Sequence, residues 1–125
     1  MSRRKKAYTP KSFESINGNR LSANMYATML QSKAWKKLNK GAMVLYLYMK
    51  LQYYGARNIV DHPQTDFVFN KAMVTQVYGL YTNMSQFRKD RDLLIEYGFI
   101  EYVENGKNTR TKSIYRFSDK WQQYK

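Results

Sequence analysis

Three groups of side chains in this sequence have the types and spacing to hold a polyanion. The first is Thr82, Asn83, Ser85, Gln86, Arg88 and Lys89, a cluster of hydroxyls, carboxamides and cations. Such groups pair with base edges in a major groove, and an Arg–guanine or Gln–adenine pair gives about 1–3 kcal/mol of discrimination. The second is Lys107, Asn108, Thr109, Arg110 and Lys112, a stretch with no acid after Glu104 until Asp119. That mixture suits phosphate oxygens or a minor groove. The third is the run Arg3-Arg4-Lys5-Lys6 near the start of the chain. Each group also has a plainer reading: a solvated helix face, a loop that blunts strand edges, or an ordinary chain terminus. For the first two groups, the elements around them favour binding. For the arm the two readings stand level.

Those elements follow from periodicity. Ser32 is an N-cap candidate. Beyond it Trp35, Leu38, Ala42, Leu45 and Met49 recur at helical steps of three and four. Val44, Leu47, Leu51 and Tyr54 form a second stripe that widens the apolar surface, so core packing is expected of the two-stripe helix rather than a base-stacking platform. Asn39-Lys40-Gly41 divides a short helix from a long one running from about Gly41 to Tyr54, and Gly55 supplies its stop. The loop Ala56 to Asp66 holds the only histidine, His62, expected to be exposed and without a role. Phe67-Val68-Phe69 reads as a strand. Asn70 caps a helix over Lys71 to Tyr78 with Ala72, Met73 and Val77 inward, and Gly79 ends it.

The helix from about Met84 to Tyr97 carries the first binding group. Asn83 with Gln86 resembles a capping box, and Thr82 is an equal candidate for the cap. With Phe87 at the centre of the buried face, Leu94 lies within about 20° of it at 100° per residue. Ser85, Lys89, Asp92 and Glu96 then point the other way, with Arg88 and Gln86 at the margins. Asp90, Asp92 and Glu96 are expected to be solvated partners of neighbouring cations. Gly98 closes the helix. Phe99 to Val103 begins a β-ribbon, Asn105-Gly106 is a tight-turn signal, and Ser113 to Phe117 is the return strand. The second binding group would be the tip of this ribbon. Ser118 caps a last helical turn carrying Trp121.

The charge supports an anionic partner. The chain has 22 Lys and Arg against 9 Asp and Glu, a net charge of +13. Holding that much like charge on one small domain costs self-repulsion. It is concentrated at residues 1–24, 25–69 and 105–125, whose nets are +5, +4 and +5, while residues 70–104 carry −1. The length suits one domain with a real core. With no cysteine there is no disulfide frame and no cysteine metal site. No apolar run approaches the roughly 20 residues of a membrane helix, and no apolar stretch follows the basic start, so the expected compartment is the cytoplasm.

The Tyr97-Gly98-Phe99-Ile100 joint after Leu94, with Leu38 and Leu45 upstream and Tyr115-Arg116-Phe117 downstream, resembles winged helix-turn-helix proteins carried by plasmids, phages and conjugative elements of Gram-positive bacteria. The resemblance spans Trp35 to Trp121. It implies DNA binding in a mobile-element setting, as a repressor, an excision or transfer accessory factor, or a replication-origin binder. Other transfer or replication proteins would then be partners. The turn from Gly79 to Asn83 is longer than the tightest version of that motif.

The expectation is therefore an α+β chain: a basic flexible arm over residues 1–24 and a winged helix-turn-helix domain over 25–125, with a three-helix core, a β-hairpin wing and a short C-terminal helix. Its ligand is double-stranded DNA, and a homodimer would match paired half-sites. A charge-driven binder of RNA or single-stranded DNA, or a protein-interaction module, is the alternative. No cofactor, metal or catalytic role is expected. There is no glycine-rich phosphate loop, and Asp90 and Asp92 are two residues apart on a helix, so they diverge.

Overall fold

Asn39 is the residue on which the helical half turns. Its side-chain oxygen accepts the Ala42 amide at 2.7 Å, which satisfies one of the unpaired donors of a helix start. Helix α3 (Lys40–Tyr54) follows. Before it lie two single-turn helices, α1 (Ala27–Leu30) and α2 (Lys33–Lys36). The Ser32 hydroxyl caps α2 by accepting the Trp35 amide at 3.1 Å. The computed structural model describes residues 9–17, 19, 21–54, 59, 61–104 and 114–125.

Strands β1 (Asp66–Val68), β2 (Ile100–Glu104) and β3 (Ile114–Phe117) form one antiparallel sheet in the order β1-β3-β2. Between β1 and β2 come a π-helical turn (Met73–Val77) and helix α4 (Met84–Glu96). A 3-10 turn (Lys120–Gln123) follows β3. The chain is thus an α+β fold with a three-stranded antiparallel sheet. None of the described helices is long and apolar enough to cross a membrane.

The first apolar stripe is the core: Trp35, Leu38, Ala42, Leu45 and Met49 are all buried. Trp35, Tyr46 and Phe99 meet edge to face with centroids 5.6–5.7 Å apart, a geometry worth about 0.5–1.5 kcal/mol per pair beyond area burial. Trp121 covers this cluster by stacking on Phe99 at 5.9 Å. Gly98 allows that closure. It sits at φ +86°, and a Cβ there would lie 2.6 Å from the Trp121 backbone nitrogen.

The second stripe departs from expectation. Val44 and Leu47 are 44% and 38% exposed, Leu51 is half-buried, and the Tyr54 side chain lies outside the described residues. Sheet and α4 cover one side of α3 and leave Val44 and Leu47 on the other. The segment after β1 also differs. Asn70 caps it as expected, accepting the Met73 amide at 3.0 Å. Met73–Val77 then winds as a π-turn rather than an α-helix. Its wider turn shifts the inward position: Val74 is fully buried, Val77 is 67% exposed and Ala72 is exposed. Gly79, at φ +60°, ends the segment, and the Leu80 amide reaches back to the Val74 carbonyl at 2.8 Å.

His62 is not the idle loop residue expected. Its Nδ1 lies 2.8 Å from Oδ2 of the buried Asp66. Arg116, directly across the ladder, donates to the same carboxylate through Nε at 2.6 Å and Nη2 at 3.1 Å. Burial opposes the charge on Asp66, but the Arg116 and His62 contacts outweigh it and hold its pKa below the ordinary carboxylate value. A charge this buried persists only because it is paired and hydrogen-bonded.

Candidate nucleic-acid interface

Helix α4 begins where Asn83 turns its side-chain oxygen onto the Ser85 and Gln86 amides, at 3.0 and 3.3 Å. Asn83 is therefore the cap, not Thr82. The buried side is Phe87, Asp90 and Leu94, at 3%, 1% and 0% exposure. Phe87 packs on Phe69 and Tyr81. Thr82, Asn83, Ser85, Gln86, Arg88 and Lys89 are all exposed. The structure thus brings the first candidate group to exposed positions at the cap and in the first turns of α4. The wing group (Lys107, Asn108, Thr109, Arg110, Lys112) and the arm group (Arg3, Arg4, Lys5, Lys6) lie outside the described residues.

Strand β2 runs beside the same helix. On β2, the Tyr102 ring lies 5.3 Å from the Arg91 guanidinium, which also sits 5.6 Å from the Phe87 ring. Arg91 pairs with Asp92 at 3.0 Å. Burial works against its charge, yet Tyr115, Asp92 and Tyr102 outweigh it and raise its pKa. Burial pushes the Tyr102 phenol up to about 12, so Tyr102 stays neutral throughout the physiological range. Arg91 is thus a fixed cation joining α4 to the ribbon. In the sequence Arg91 is marked only by its place four residues after Phe87, which puts it beside an aromatic ring.

The largest correction concerns Asp90, expected in solvent and found buried. Three donors converge on it. Asn39 Nδ2 and Gln86 Nε2 reach Oδ1 at 3.3 and 3.0 Å, and the Tyr81 hydroxyl reaches Oδ2 at 2.5 Å. Burial first, and then the Asp90 carboxylate, drive the Tyr81 pKa upward. Gly41 makes room for the cluster, since a Cβ there would lie 2.5 Å from Asp90 Oδ2. The capping box is accordingly half made. Asn83 caps the helix, but the Gln86 side chain turns to Asp90 instead of back to Asn83.

Two further surfaces are grooves, one past the C-terminal end of α4 and one beside Tyr81, just before the α4 cap. Lys33, Lys36, Lys37 and Lys125 line an open groove with Tyr124, and the Tyr124 ring meets Tyr97 just past the other end of α4, at 5.3 Å. A shallow apolar cleft runs between Val44, Leu45, Leu80 and Tyr81. Among the described residues no group of three His, Cys, Asp or Glu could hold a metal ion. In comparisons with known proteins, no family model, no curated protein and no solved structure matches the chain.

Proposed function

We propose that this chain is a winged helix-turn-helix protein that binds double-stranded DNA in a sequence-specific way. In this reading α4 enters the major groove by its N-terminal half. Gln86, Arg88, Lys89 and Ser85 meet base edges there, while the α4 N-terminus and Thr82 face phosphate. The β2–β3 ribbon is the wing, and Lys107, Arg110 and Lys112 supply backbone contacts. The N-terminal arm adds Arg3, Arg4, Lys5 and Lys6. The role is binding and not catalysis: a repressor, or an accessory factor at a transfer or replication origin of a mobile element.

One observation carries the reading. Six polar and cationic residues, Thr82 and Asn83 just before α4 and Ser85, Gln86, Arg88 and Lys89 in its first turns, are exposed together, and the opposite side of the helix is anchored at Phe87, Asp90 and Leu94. Any surface helix is anchored on its inner side; the order β1, π-turn, α4, β2 and β3 around it is what favours a groove-reading face over a solvated one. The net charge of +13 is the second support, because phosphate neutralisation relieves the self-repulsion. A homodimer belongs to the same reading. Exposed Val44 and Leu47 beside the Leu80 cleft offer a second copy an apolar contact, and sedimentation at micromolar concentration tests it.

Competition gel shifts test the main reading. A fragment from the element's own genome should displace a labelled copy of itself far better than random duplex does. Equal competition by random duplex or by RNA would support a charge-driven binder instead. Capture of a protein that survives nuclease treatment, with no duplex retained, would support a protein-interaction module.

A further inference from the structure

The buried Asp90 cluster fixes which way the Gln86 carboxamide points, and that has a consequence for base recognition. The chain of constraints starts at a backbone group. The Ala42 amide can only donate, so the Asn39 side-chain oxygen must face it. The Asn39 NH2 is then the end that meets Asp90 Oδ1. A carboxylate oxygen accepts only, so the Gln86 group on that same Oδ1 is also its NH2. An amide orientation that the ring of partners dictates is not arbitrary. With one N–H of its amide held on Asp90, the exposed Gln86 has its carbonyl oxygen left over as an acceptor for an outside donor.

We infer that Gln86 is a specificity-determining residue that reads an exocyclic amine, adenine N6 or cytosine N4, and that Asp90 is the residue that positions it. This rests on the DNA-binding reading above and refines it. In the major groove, adenine and cytosine offer an amine donor, whereas guanine and thymine offer O6 or O4 acceptors. That carbonyl oxygen accepts from the first pair and is repelled by the second. Asp90 takes only one of the two N–H donors of the Gln86 amide, so adenine can accept the other at N7 while it donates from N6, and cytosine takes the single bond to the oxygen. Tyr81 closes the other side of the carboxylate, so the cluster is satisfied without a ligand and the orientation exists before DNA arrives.

The experiment is selection from a randomised duplex pool by the full chain, followed by affinities for the selected site and its single-base variants. The wild type should prefer A or C over G or T at one position on one strand by about ten-fold or more. Gln86→Ala should lose that preference and keep the others. Asp90→Leu should lose the same preference. Tyr81→Phe, which leaves the Gln86–Asp90 bond intact, should retain it. If Asp90→Leu proves unfolded by circular dichroism, Gln86→Ala and Tyr81→Phe still decide. A preference for G or T at the position that responds to Gln86→Ala would overturn the inference, as would no position responding to it. If no sequence at all is enriched by the wild type, the DNA-binding reading fails instead, and the two failures are told apart by the wild-type selection alone.

Discussion

The two long helices differ in how well residue type forecasts environment. Helix α3 is apolar nearly all round, yet Val44 and Leu47 face outward while Leu45 and Tyr46 between them are buried. Helix α4 is rich in charge, yet a carboxylate sits in its core-facing row between Phe87 and Leu94. Burial is decided by where the neighbours are, and hydrophobicity only biases it. On α3 the sheet and α4 cover one side. On α4 the Asn39, Gln86 and Tyr81 donors make an inward Asp90 tolerable, because hydrogen bonds offset the desolvation cost of a buried polar group.

This contrast can be broken by substitution, and the largest effect belongs to the shared core. Leu45→Ala and Leu94→Ala, one on each helix, should each lower unfolding stability by about 2–5 kcal/mol in urea titrations. Next comes the junction between them. Gly41→Ala would place a methyl group 2.5 Å from Asp90 Oδ2 and should cost about 1–3 kcal/mol as overpacking. Alanine gains up to about 1 kcal/mol over glycine within a helix, so a net stabilisation there would mean that Asp90 is not held where it is described.

An acid titration gives a smaller effect with a definite sign. The folded-state pKa of Asp66 lies below its unfolded value of about 3.8. Its contribution is therefore fully present above that value and is lost as pH falls through the lowered one. Arg116→Leu removes the main charge partner. It should reduce stability at neutral pH and flatten the acid limb of the stability curve, measured by urea unfolding from pH 7 down to pH 2. An unchanged acid limb would place the carboxylate's support elsewhere. Smallest of all, Val44→Ser and Leu47→Gln should change monomer stability by no more than about 0.5 kcal/mol. A larger loss would show that the outer stripe of α3 is packed after all.

The frame of the molecule was legible from periodicity and caps. Ser32, Asn70 and Asn83 cap where their types predict, and Gly79 and Gly98 take the positive φ values that end their segments. The core stripe from Trp35 to Met49 is as spaced. The misses share a cause. Asp90 sits three residues after Phe87 and four before Leu94, a spacing that already put it on the buried row. Charge type overrode that spacing because its partner Asn39 is 51 residues away in sequence. His62 was dismissed for the same reason, since Arg116, which completes the Asp66 cluster, is 50 residues from that aspartate. The π-turn at Met73–Val77 shifts the inward residue from Val77 to Val74, and an α-helical wheel cannot anticipate an added residue per turn.

The central claim is that duplex DNA meets the N-terminal half of α4. Amide chemical-shift mapping during titration with the selected duplex tests it most directly. The account predicts the largest perturbations over Thr82 to Lys89 and along β2, with the Lys33–Lys37 groove and the Val44–Leu47 face little changed. Perturbations centred on Lys33 to Lys37 and Tyr124, with Thr82 to Lys89 silent, would contradict it.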